Sequence, residues 1–356
     1  MASTLRLLFV LSILVVKRLG LTRRVFFVIL CMKSVLRTFI ELMSEHASRE
    51  EECLVCGSST VLPIDQRTSC GHMIRNVQCQ SCGFIFISPC ASAEAYAKFY
   101  ASGFSTEYNQ QTAVPSQALV QQAQPKTERL LTFIAPHLRP NMRVLEIGCG
   151  FGNVLAALRD RFQAETVGIE PDPQGAPVAK EVFGLDVQTR TFEDFLASWD
   201  GKSFDAIIMH HVLEHFLDPN VVGTALTRLL APGGFVYIGV PNGAWPAYPR
   251  SIFFRFPHTL TFTPYSLAYL LWRHDLKVVK QDHWSKPLAF VAVHRADERP
   301  SIAWLGLCRA SLPPACGRRR LSCANAYHVA RLALRKGKAM IPMSLKQRWK
   351  GWRKAK

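Results

Sequence analysis

One nine-residue segment, residues 144–152, limits the fold of this 356-residue chain more than any other: it reads Val-Leu-Glu-Ile-Gly-Cys-Gly-Phe-Gly. Its apolar beginning predicts a short buried strand, and a helical pattern follows it. Gly148, Gly150 and Gly152 lie between the two, where glycine permits a sharp turn and lets a ligand approach the backbone. The segment therefore predicts an α/β fold that binds a ligand at this turn.

Short apolar runs alternate with helical periodicity around this segment, which predicts a doubly wound parallel sheet. The expected strands are 143–147, 165–170, 185–189, 204–210 and 235–240, and two later runs, 277–281 and 288–294, are expected to pair as an edge hairpin. Ahead of the sheet, a Gln-rich stretch at 109–124 is interpreted as a linker, and Pro125 is expected to open a helix that runs to Leu138.

Two features of the turn indicate which ligand it binds. A dinucleotide fingerprint requires glycine at position 153, but Asn153 stands there. Glu146 lies within the segment and favours a cationic ligand, and Glu170 ends the next strand, where a carboxylate suits ribose hydroxyls. S-adenosylmethionine, a sulfonium with a ribose and no phosphate, meets both conditions.

Several later motifs resemble class I S-adenosylmethionine-dependent methyltransferases, in the group whose fourth-strand motif reads His-x-Leu-Glu-His. The chain has His-His-Val-Leu-Glu-His at 210–215, Leu-Ala-Pro-Gly-Gly at 230–234, Val-Pro-Asn at 240–242 and Pro-His-Thr-Leu-Thr-Phe-Thr-Pro-Tyr-Ser-Leu at 257–267. The resemblance implies a Rossmann-like methyltransferase sheet. The expected cofactor site comprises Glu146, Gly148, Cys149, Gly150, Gly152, Glu170, Pro171, Phe192 and His210.

The loop after the fourth strand carries the candidate catalytic residues His211, Glu214 and His215. A histidine paired with a carboxylate suits removal of a proton from a methyl acceptor, and His215 with Glu214 is the expected pair. The alternative is that they cap the loop or shape the cofactor pocket. Quinone-type O-methyltransferases hold a divalent metal in a similar Glu-x-x-Glu-His loop, but His211 replaces the first Glu here, so a metal stays an open question. Three further residues are candidates for either acceptor contact or packing: Asn242, His258 and Tyr265.

Two Cys-x-x-Cys pairs, Cys53/Cys56 and Cys79/Cys82, are separated by 22 residues, and a glycine follows each pair. Four thiolates in this arrangement favour a closed, structural Zn²⁺ site, with Cys70 and His72 as alternative ligands. The segment 82–89 resembles the zinc-ribbon head of bacterial methyltransferases that act on sugars, cell-surface polysaccharides or secondary metabolites. Paired cysteines in a long chain also favour a reducing compartment.

The basic charge is concentrated at the two ends of the chain. Residues 299–356 hold fifteen Lys and Arg and no acidic residue, and residues 1–42 hold seven basic residues and one acidic residue. Because the part between them is nearly neutral, nucleic acid is the less favoured partner. The apolar runs at 5–16 and 25–32 are shorter than a spanning helix. They are interpreted as a membrane-surface anchor, a signal anchor, or sequence ahead of a start at Met43.

The C-terminal tail has Leu345, Trp349 and Trp352 at helical spacing among basic residues. This pattern fits a membrane surface or an acidic partner, RNA phosphates, or a solvated tail with little structure. The predicted organisation is an apolar, basic segment (1–42), a zinc-ribbon head (43–90), an aromatic helix and linker (91–124), a methyltransferase domain (125–296) and a basic extension (297–356).

The expected function is methyl transfer to a small molecule, a sugar or a cell-surface glycan precursor, in the cytoplasm and with peripheral membrane contact through the termini. An RNA methyltransferase and a non-catalytic scaffold that uses the zinc head for partners are the alternatives.

Overall fold

The computed structural model describes residues 52–69, 72–96, 115–243, 254–282 and 287–295. The predicted segment 1–42, the aromatic residues 99–108, Cys70 and the basic extension from residue 297 lie outside the described residues. None of the helices in the described ranges is long and apolar enough to cross a membrane.

The elements follow one another in the order expected of an α/β chain with a small β-rich head. The strands are β1 (Val61–Ser69), β2 (His72–Cys79), β3 (Ile85–Ile87), β4 (Arg143–Ile147), β5 (Glu165–Ile169), β6 (Phe204–His210), β7 (Leu230–Val240), β8 (Leu260–Thr261), β9 (Leu276–Asp282) and β10 (Leu288–His294). The helices are α1 (Ser116–Ile134), α2 (Asn153–Phe162), α3 (Gly175–Phe183), α4 (Phe192–Ala197), α5 (Pro219–Leu229) and α6 (Pro264–Arg273), with 3₁₀ turns at Ala135–His137 and Leu213–His215.

The main sheet has six strands in the order β5–β4–β6–β7–β10–β9. Strands β5, β4, β6 and β7 pair in parallel, whereas β10 runs antiparallel to both β7 and β9. The Rossmann-like fold is therefore confirmed as a mixed sheet. The predicted hairpin forms with β9 at the edge and β10 inside the sheet.

The central strands carry mostly apolar side chains on both sides because helices cover both faces of the sheet. Leu145 on β4 packs in one cluster with Ile207 on β6, and Val144 packs in a second cluster with Ile208, so the two faces have separate cores. Burial on both faces explains why these strands lack the alternation of a half-exposed strand.

The smaller sheet joins the cysteine-rich head to the main part of the fold. Its order is β1–β2–β3–β8, all antiparallel, and β8 is contributed by the segment between β7 and α6. Phe84 and Phe262 bring their ring centroids to 5.4 Å, and buried residues of the head belong to the same hydrophobic cluster as those of the main sheet. The division of the chain at residue 90 stays a prediction, but the two parts share a core.

The interpretation of 109–124 as a linker is wrong from residue 116 onward, because α1 begins at Ser116 and contains Pro125. Leu119 and Val120 are buried against Val178 of α3, and Asn153 Nδ2 donates to the Val120 carbonyl at 2.9 Å. This packing outweighs the cost of a proline inside a helix.

The predicted strand at 185–189 forms only one bridge, between Gln188 and Ile169. Its backbone makes two hydrogen bonds to β5 and its end, from Gln188 N to Gly168 O and from Glu170 N to Gln188 O. The segment lies at the sheet edge, where Asp186, Gln188 and Thr189 are exposed, so no second neighbour extends the pairing.

Candidate active site

The predicted glycine turn lies at the carboxyl end of β4, before α2. Gly148, Gly150 and Gly152 all have left-handed φ angles, of 68°, 53° and 79°, which other residues adopt only with strain. The N–H groups of Gly148 and Cys149 donate to Ile169 O at 2.8 and 3.1 Å, which fixes the turn to the end of β5. A Cβ on Gly150 would meet no atom within 4 Å, so a ligand can approach this backbone.

Glu170 stands beside this turn at the end of β5. Its Oε2 accepts the Gly150 N–H at 2.8 Å and its Oε1 accepts the Asp172 N–H at 2.9 Å. Burial raises the pKa of Glu170 to about 7, although these two N–H groups favour the ionised form. Each carboxylate oxygen accepts one N–H here and has a second lone pair, which suits a pair of ligand hydroxyls.

Glu146 and Cys149 are buried within the same turn. Glu146 accepts the Leu155 N–H at the beginning of α2, and its Oε2 has no hydrogen-bond partner among the described residues. Burial, and then the charge of Glu170, raise the pKa of Glu146 well above its usual range. Burial likewise raises the pKa of Cys149, so its thiol is not a nucleophile at neutral pH. A direct counter-charge role for Glu146 stays a prediction.

The beginning of α3 packs against the glycine turn, and sequence reasoning missed this contact. A Cβ on Gly175 would lie 2.6 Å from Gly150 O and 2.7 Å from Glu170 Cγ, so only glycine lets α3 approach this closely. Asp172 is buried, and its Oδ1 accepts the Gln174 N–H at 3.0 Å. The acidic residue two positions after Glu170 was the available signal.

Two other predicted cofactor residues, Pro171 and Phe192, differ in how deeply they are buried. Pro171 follows Glu170 and is half-buried. Phe192 begins α4 and is buried, with its ring edge-on to Phe216 at 5.7 Å between centroids. Phe192 therefore packs in the core, through Phe216, against the loop that follows β6.

His210 ends β6, and its Nδ1 lies 3.0 Å from the Tyr237 hydroxyl on β7. Burial lowers the pKa of His210 to about 3, so the ring is neutral. A Cβ on Gly239 would come within 2.6 Å of the Tyr237 hydroxyl and 2.8 Å of His210 Nδ1. Sequence reasoning missed this pair, for which a tyrosine hydroxyl in an otherwise apolar strand was the signal.

The loop after β6 brings the candidate catalytic residues His211, Glu214 and His215 close to one another. His211 has a left-handed φ of 59°, and its N–H donates to Gly239 O at 2.7 Å. His211 Nδ1 lies 3.3 Å from Glu214 Oε1, and His215 Nε2 lies 4.0 Å from the same oxygen. The two imidazoles therefore lie next to the same carboxylate oxygen of Glu214.

Glu214 is buried in the 3₁₀ turn at Leu213–His215. Burial alone would raise its pKa, but the hydrogen bond with His211 and the electrostatic interaction with the imidazoles of His215, His211 and His258 lower it to about 2. Glu214 is therefore a carboxylate at neutral pH, held among three imidazoles.

His215 has a defined tautomer. Its Nδ1 lies 2.8 Å from the Pro257 carbonyl oxygen, and because a carbonyl only accepts, Nδ1 carries the proton and Nε2 the lone pair. Burial lowers the pKa of His215, which keeps the ring neutral. Its side chain is 20% exposed, so an acceptor can reach it.

The three residues left open between acceptor contact and packing take different positions. The His258 ring lies edge-on to His215, with centroids 5.1 Å apart. Asn242 is buried and forms a bridge with Phe262, whereas Tyr265 lies on α6 and stacks on Tyr269. Of the three, only His258 is brought against the histidine loop by these contacts.

Glu214, His215 and His258 could also hold a metal ion, since their ligand atoms lie within 4.8 Å of one another. One carboxylate and two imidazoles form a donor set that Zn²⁺ and other first-row cations accept.

The glycine turn and the histidine loop meet at Val212. A Cβ on Gly148 would lie 2.4 Å from Val212 Cγ2, so Gly148 gives this loop the space to pack against the turn. The two halves of the candidate site are therefore in direct contact.

Substitution of Gly148 by alanine tests this contact. We expect the free energy of unfolding to fall by about 1 kcal/mol from the left-handed backbone and by a further 1–3 kcal/mol or so from the overlap with Val212. Denaturant unfolding measures the loss.

Gly184→Ala is the control, because Gly184 also has a left-handed φ, of 67°, but a Cβ there meets nothing within 4 Å. In a Val212→Ala background the excess loss should disappear; an undiminished loss would contradict the contact.

The four predicted metal ligands come together in the head. Cys53 and Cys82 bring their Sγ atoms to 3.5 Å, Cys56 and Cys79 do the same, and all four lie within 4.8 Å of one another. Zn–S bonds of about 2.3 Å in a tetrahedron place sulfur atoms about 3.8 Å apart, so the spacing fits. Gly57 and Gly83 have left-handed φ angles of 72° and 73°, as the predicted turn after each pair requires.

The chemistry of these thiols also fits a cation. The hydrogen bond with Cys82 lowers the pKa of Cys53 to about 5, whereas burial raises the pKa of Cys56 to about 11. Four crowded thiols cannot all ionise without a cation between them, and a divalent ion would supply that charge.

Comparison with known proteins identifies the part of the chain that contains this site. Residues 119–281 match the family model described as a methyltransferase domain, and this match overlaps the predicted domain 125–296. A ubiquinone biosynthesis O-methyltransferase of Cereibacter sphaeroides (strain ATCC 17025 / ATH 2.4.3) is 37% identical over 113 residues, which are 30% of this chain and 44% of the relative. One from Bartonella tribocorum (strain CIP 105476 / IBS 506) is 33% identical over 117 residues, 32% of this chain and 46% of the relative.

The chain thus spans less than half the length of these curated relatives. Among solved structures, the magnesium protoporphyrin IX methyltransferase of Synechocystis PCC 6803 with bound S-adenosylmethionine is 14% identical, with a TM-score of 0.41, over 57% of this chain and 96% of that one.

Proposed function

We propose that this protein is an S-adenosylmethionine-dependent methyltransferase that methylates a hydroxyl oxygen of a small molecule, a class that includes sugars and glycan precursors. One observation carries the proposal: the glycine turn with Glu170 and the histidine loop with Glu214 and His215 meet at Val212. A site for a ribose-bearing cofactor and a site for proton removal therefore lie side by side.

S-adenosylmethionine would be held by the glycine turn and by Glu170. The open approach to Gly150 and the second lone pairs of the Glu170 carboxylate suit a ribose, and Asn153 disfavours a dinucleotide. When bound, the cofactor supplies an electrophilic methyl group on its sulfonium. The chain's own contribution is to place the acceptor next to it, which is a large part of catalysis in such a reaction.

His215 is the proposed general base. Its Nδ1–H donates to Pro257 O, so Nε2 can take the proton from an acceptor hydroxyl. The imidazolium formed in this way is stabilised by the Glu214 carboxylate, whose Oε1 lies 4.0 Å from Nε2. Pro257 and Glu214 together fix the tautomer of the ring and compensate its new charge.

The acceptor class is inferred from this base and from the relatives. The matched proteins are named ubiquinone biosynthesis O-methyltransferases, and a base that removes a hydroxyl proton agrees with O-methylation. A sugar hydroxyl requires the same chemistry. RNA is disfavoured because residues 43–298 are nearly neutral, and a non-catalytic scaffold is disfavoured because Glu170 and the glycine turn are intact. For the four cysteines we infer a structural Zn²⁺ ion, in a protein of a reducing compartment.

The test is cofactor binding followed by an acceptor screen. Calorimetry should show S-adenosylmethionine binding with one site per chain, and labelled cofactor should transfer its methyl group to members of a panel of phenols, sugar nucleotides and RNA. Transfer to a phenol or sugar hydroxyl supports the proposal, whereas transfer to RNA alone favours the first alternative. No cofactor binding would favour the scaffold.

The affinity for the cofactor should depend on pH through Glu170. Because the pKa of Glu170 is raised to about 7, its carboxylate predominates above that pH and is protonated below it. Ligand hydroxyls donate to the ionised form, so the dissociation constant should rise on acidification from pH 8 to pH 6, by up to about tenfold over the whole range. Calorimetry across this range measures it.

The matched variants for this prediction are Glu170→Gln and Glu165→Gln. Glu170→Gln should weaken binding at pH 8 and remove most of the pH dependence. Glu165 begins the same strand and pairs with Arg143 at 2.9 Å, so Glu165→Gln should leave both unchanged. A dissociation constant that is constant from pH 6 to pH 8 in the unsubstituted protein would contradict the role of Glu170.

A further inference from the structure

We propose that the four-cysteine head is a positioning element for the acceptor side of the site, and that Thr259 is the residue through which it acts. This inference rests on the proposed role of His215. We propose no chemical role for the head. The head fixes the position of segment 256–261, and this segment fixes the position of the histidine loop.

The head contacts segment 256–261 through the smaller sheet. Strand β3 pairs with β8, with Ile85 opposite Thr261 and Phe86 opposite Leu260, and the Ile87 N–H donates to Thr259 O at 2.9 Å. A two-residue strand such as β8 is marginal alone and depends on its neighbour. The backbone on either side of Thr259 is therefore set by the head.

A second contact fixes the beginning of the segment. The Tyr96 hydroxyl donates to Phe256 O at 3.2 Å, and the two rings stack with centroids 5.0 Å apart. Both residues are buried, in a cluster with Ile74 of β2 and Ile87 of β3. The residue before Pro257 is thus anchored to Tyr96, shortly after the head, and to strands β2 and β3 of the head through this cluster.

The same segment holds the histidine loop from the other side. The His215 Nδ1–H group donates a hydrogen bond to Pro257 O at 2.8 Å. Thr259 Oγ1 lies 3.2 Å from Glu214 O and within hydrogen-bond distance of Phe216 O, so its hydroxyl bridges the two carbonyls that flank His215. Thr259 is 2% exposed, so water does not compete for these contacts.

The position of the head is itself fixed by its first cysteine turn. Asn220 of α5 donates to Leu54 O and Arg273 of α6 donates to Val55 O, between Cys53 and Cys56. The cofactor turn is held differently, because the N–H groups of Gly148 and Cys149 donate to Ile169 O at the end of β5, outside the histidine loop. A disturbance of Thr259 should therefore reach His215 and the acceptor, and leave cofactor binding intact.

The decisive variant is Thr259→Val, which keeps the volume and removes the hydroxyl. We expect kcat/KM for the acceptor to fall by between about 10- and 100-fold, because misplacement of a base by a fraction of an ångström has effects of this size. The dissociation constant of S-adenosylmethionine should stay within about twofold. Thr259→Ser keeps the hydroxyl and should restore most of the activity.

Two readouts separate positioning from a general loss of stability. Amide hydrogen exchange at residues 213–216 should become faster, and the ¹⁵N spectrum of His215 should show a larger share of the Nε2–H tautomer. The control is Thr127→Val, since Thr127 is also buried and its hydroxyl is close to a carbonyl of its own helix, Ala123 O, at 3.4 Å. It should change neither readout.

Unchanged exchange and an unchanged His215 tautomer in Thr259→Val would overturn the inference, whatever the activity. Both readouts are measured without an acceptor, so they test the coupling even if methyl transfer is not found. If no methyl transfer is found, the proposed function fails, and the two readouts still show whether Thr259 is coupled to His215.

Discussion

Replacement of His215 by glutamine is expected to lower kcat by roughly two to four orders of magnitude, the usual contribution of a positioned general base. Glutamine keeps a polar side chain of similar length in the loop, where the native Nδ1 lies 2.8 Å from Pro257 O. It cannot take up a proton at Nε2, so the acceptor hydroxyl must react without a base. Steady-state kinetics and calorimetry should show lost turnover with the cofactor dissociation constant unchanged within about twofold.

His294→Gln is the matched control for this variant. His294 also places a ring nitrogen near a backbone carbonyl, with Nε2 3.0 Å from Leu230 O, but it lies at the far end of β10. Its substitution should leave kcat unchanged. A His215→Gln protein that turns over at the native rate would remove His215 from the chemistry.

A chelator distinguishes the base from a metal ligand, because His215, Glu214 and His258 are close enough to bind an ion. If His215 acts as a base, turnover should survive a chelator that leaves the proposed ion on the four cysteines in place. Loss of turnover on chelation, with recovery on addition of a divalent cation, would assign His215 to a metal site instead.

The sequence predicted those parts of the fold whose signals are local. Strands β4, β6 and β10 have the predicted bounds because a mostly apolar run defines each of them and turn or polar residues follow it. The left-handed glycines at 148, 150 and 152 were predicted as a turn for the same reason, since few other residues tolerate that backbone. The convergence of the four cysteines followed from their spacing.

The parts that sequence reasoning missed depend on distant contacts. Helix α1 continues through Pro125 because Leu119 and Val120 are buried on α3, which no local propensity reveals. Strand β8 has two residues and exists only because β3 pairs with it. Position 257 acts in the site through its carbonyl, and a backbone group has no sequence signature.

The same distinction applies to the head, which the sequence presents as a separate module. Cys53 and Cys82 are buried in one hydrophobic cluster with Phe84 and with residues of the main sheet. Burial in a shared core predicts that the head and the sheet unfold together, in one cooperative transition. The proposed metal ion would then stabilise the whole described fold.

Substitution of Cys53 by serine should therefore destabilise far more than the head. Serine is a poor zinc ligand, and its hydroxyl would be buried at a position that is only 2% exposed. Loss of a structural metal belongs to the substitutions that cost about 4 kcal/mol or more. For a fold of this size that corresponds to a fall in melting temperature of roughly 10 °C, measurable by calorimetry. Bound zinc should fall from one ion per chain to none, measured by elemental analysis.

Cys90→Ser is the matched control, because Cys90 is buried to a similar degree but lies in a different cluster, outside the four-cysteine site. It should keep its zinc and lose less stability than Cys53→Ser. Removal of the ion from the native protein by a strong chelator should reproduce the Cys53→Ser melting curve as one shifted transition. Two separate transitions, or a native protein that melts at the same temperature with and without the ion, would show that the head is not part of the cooperative core.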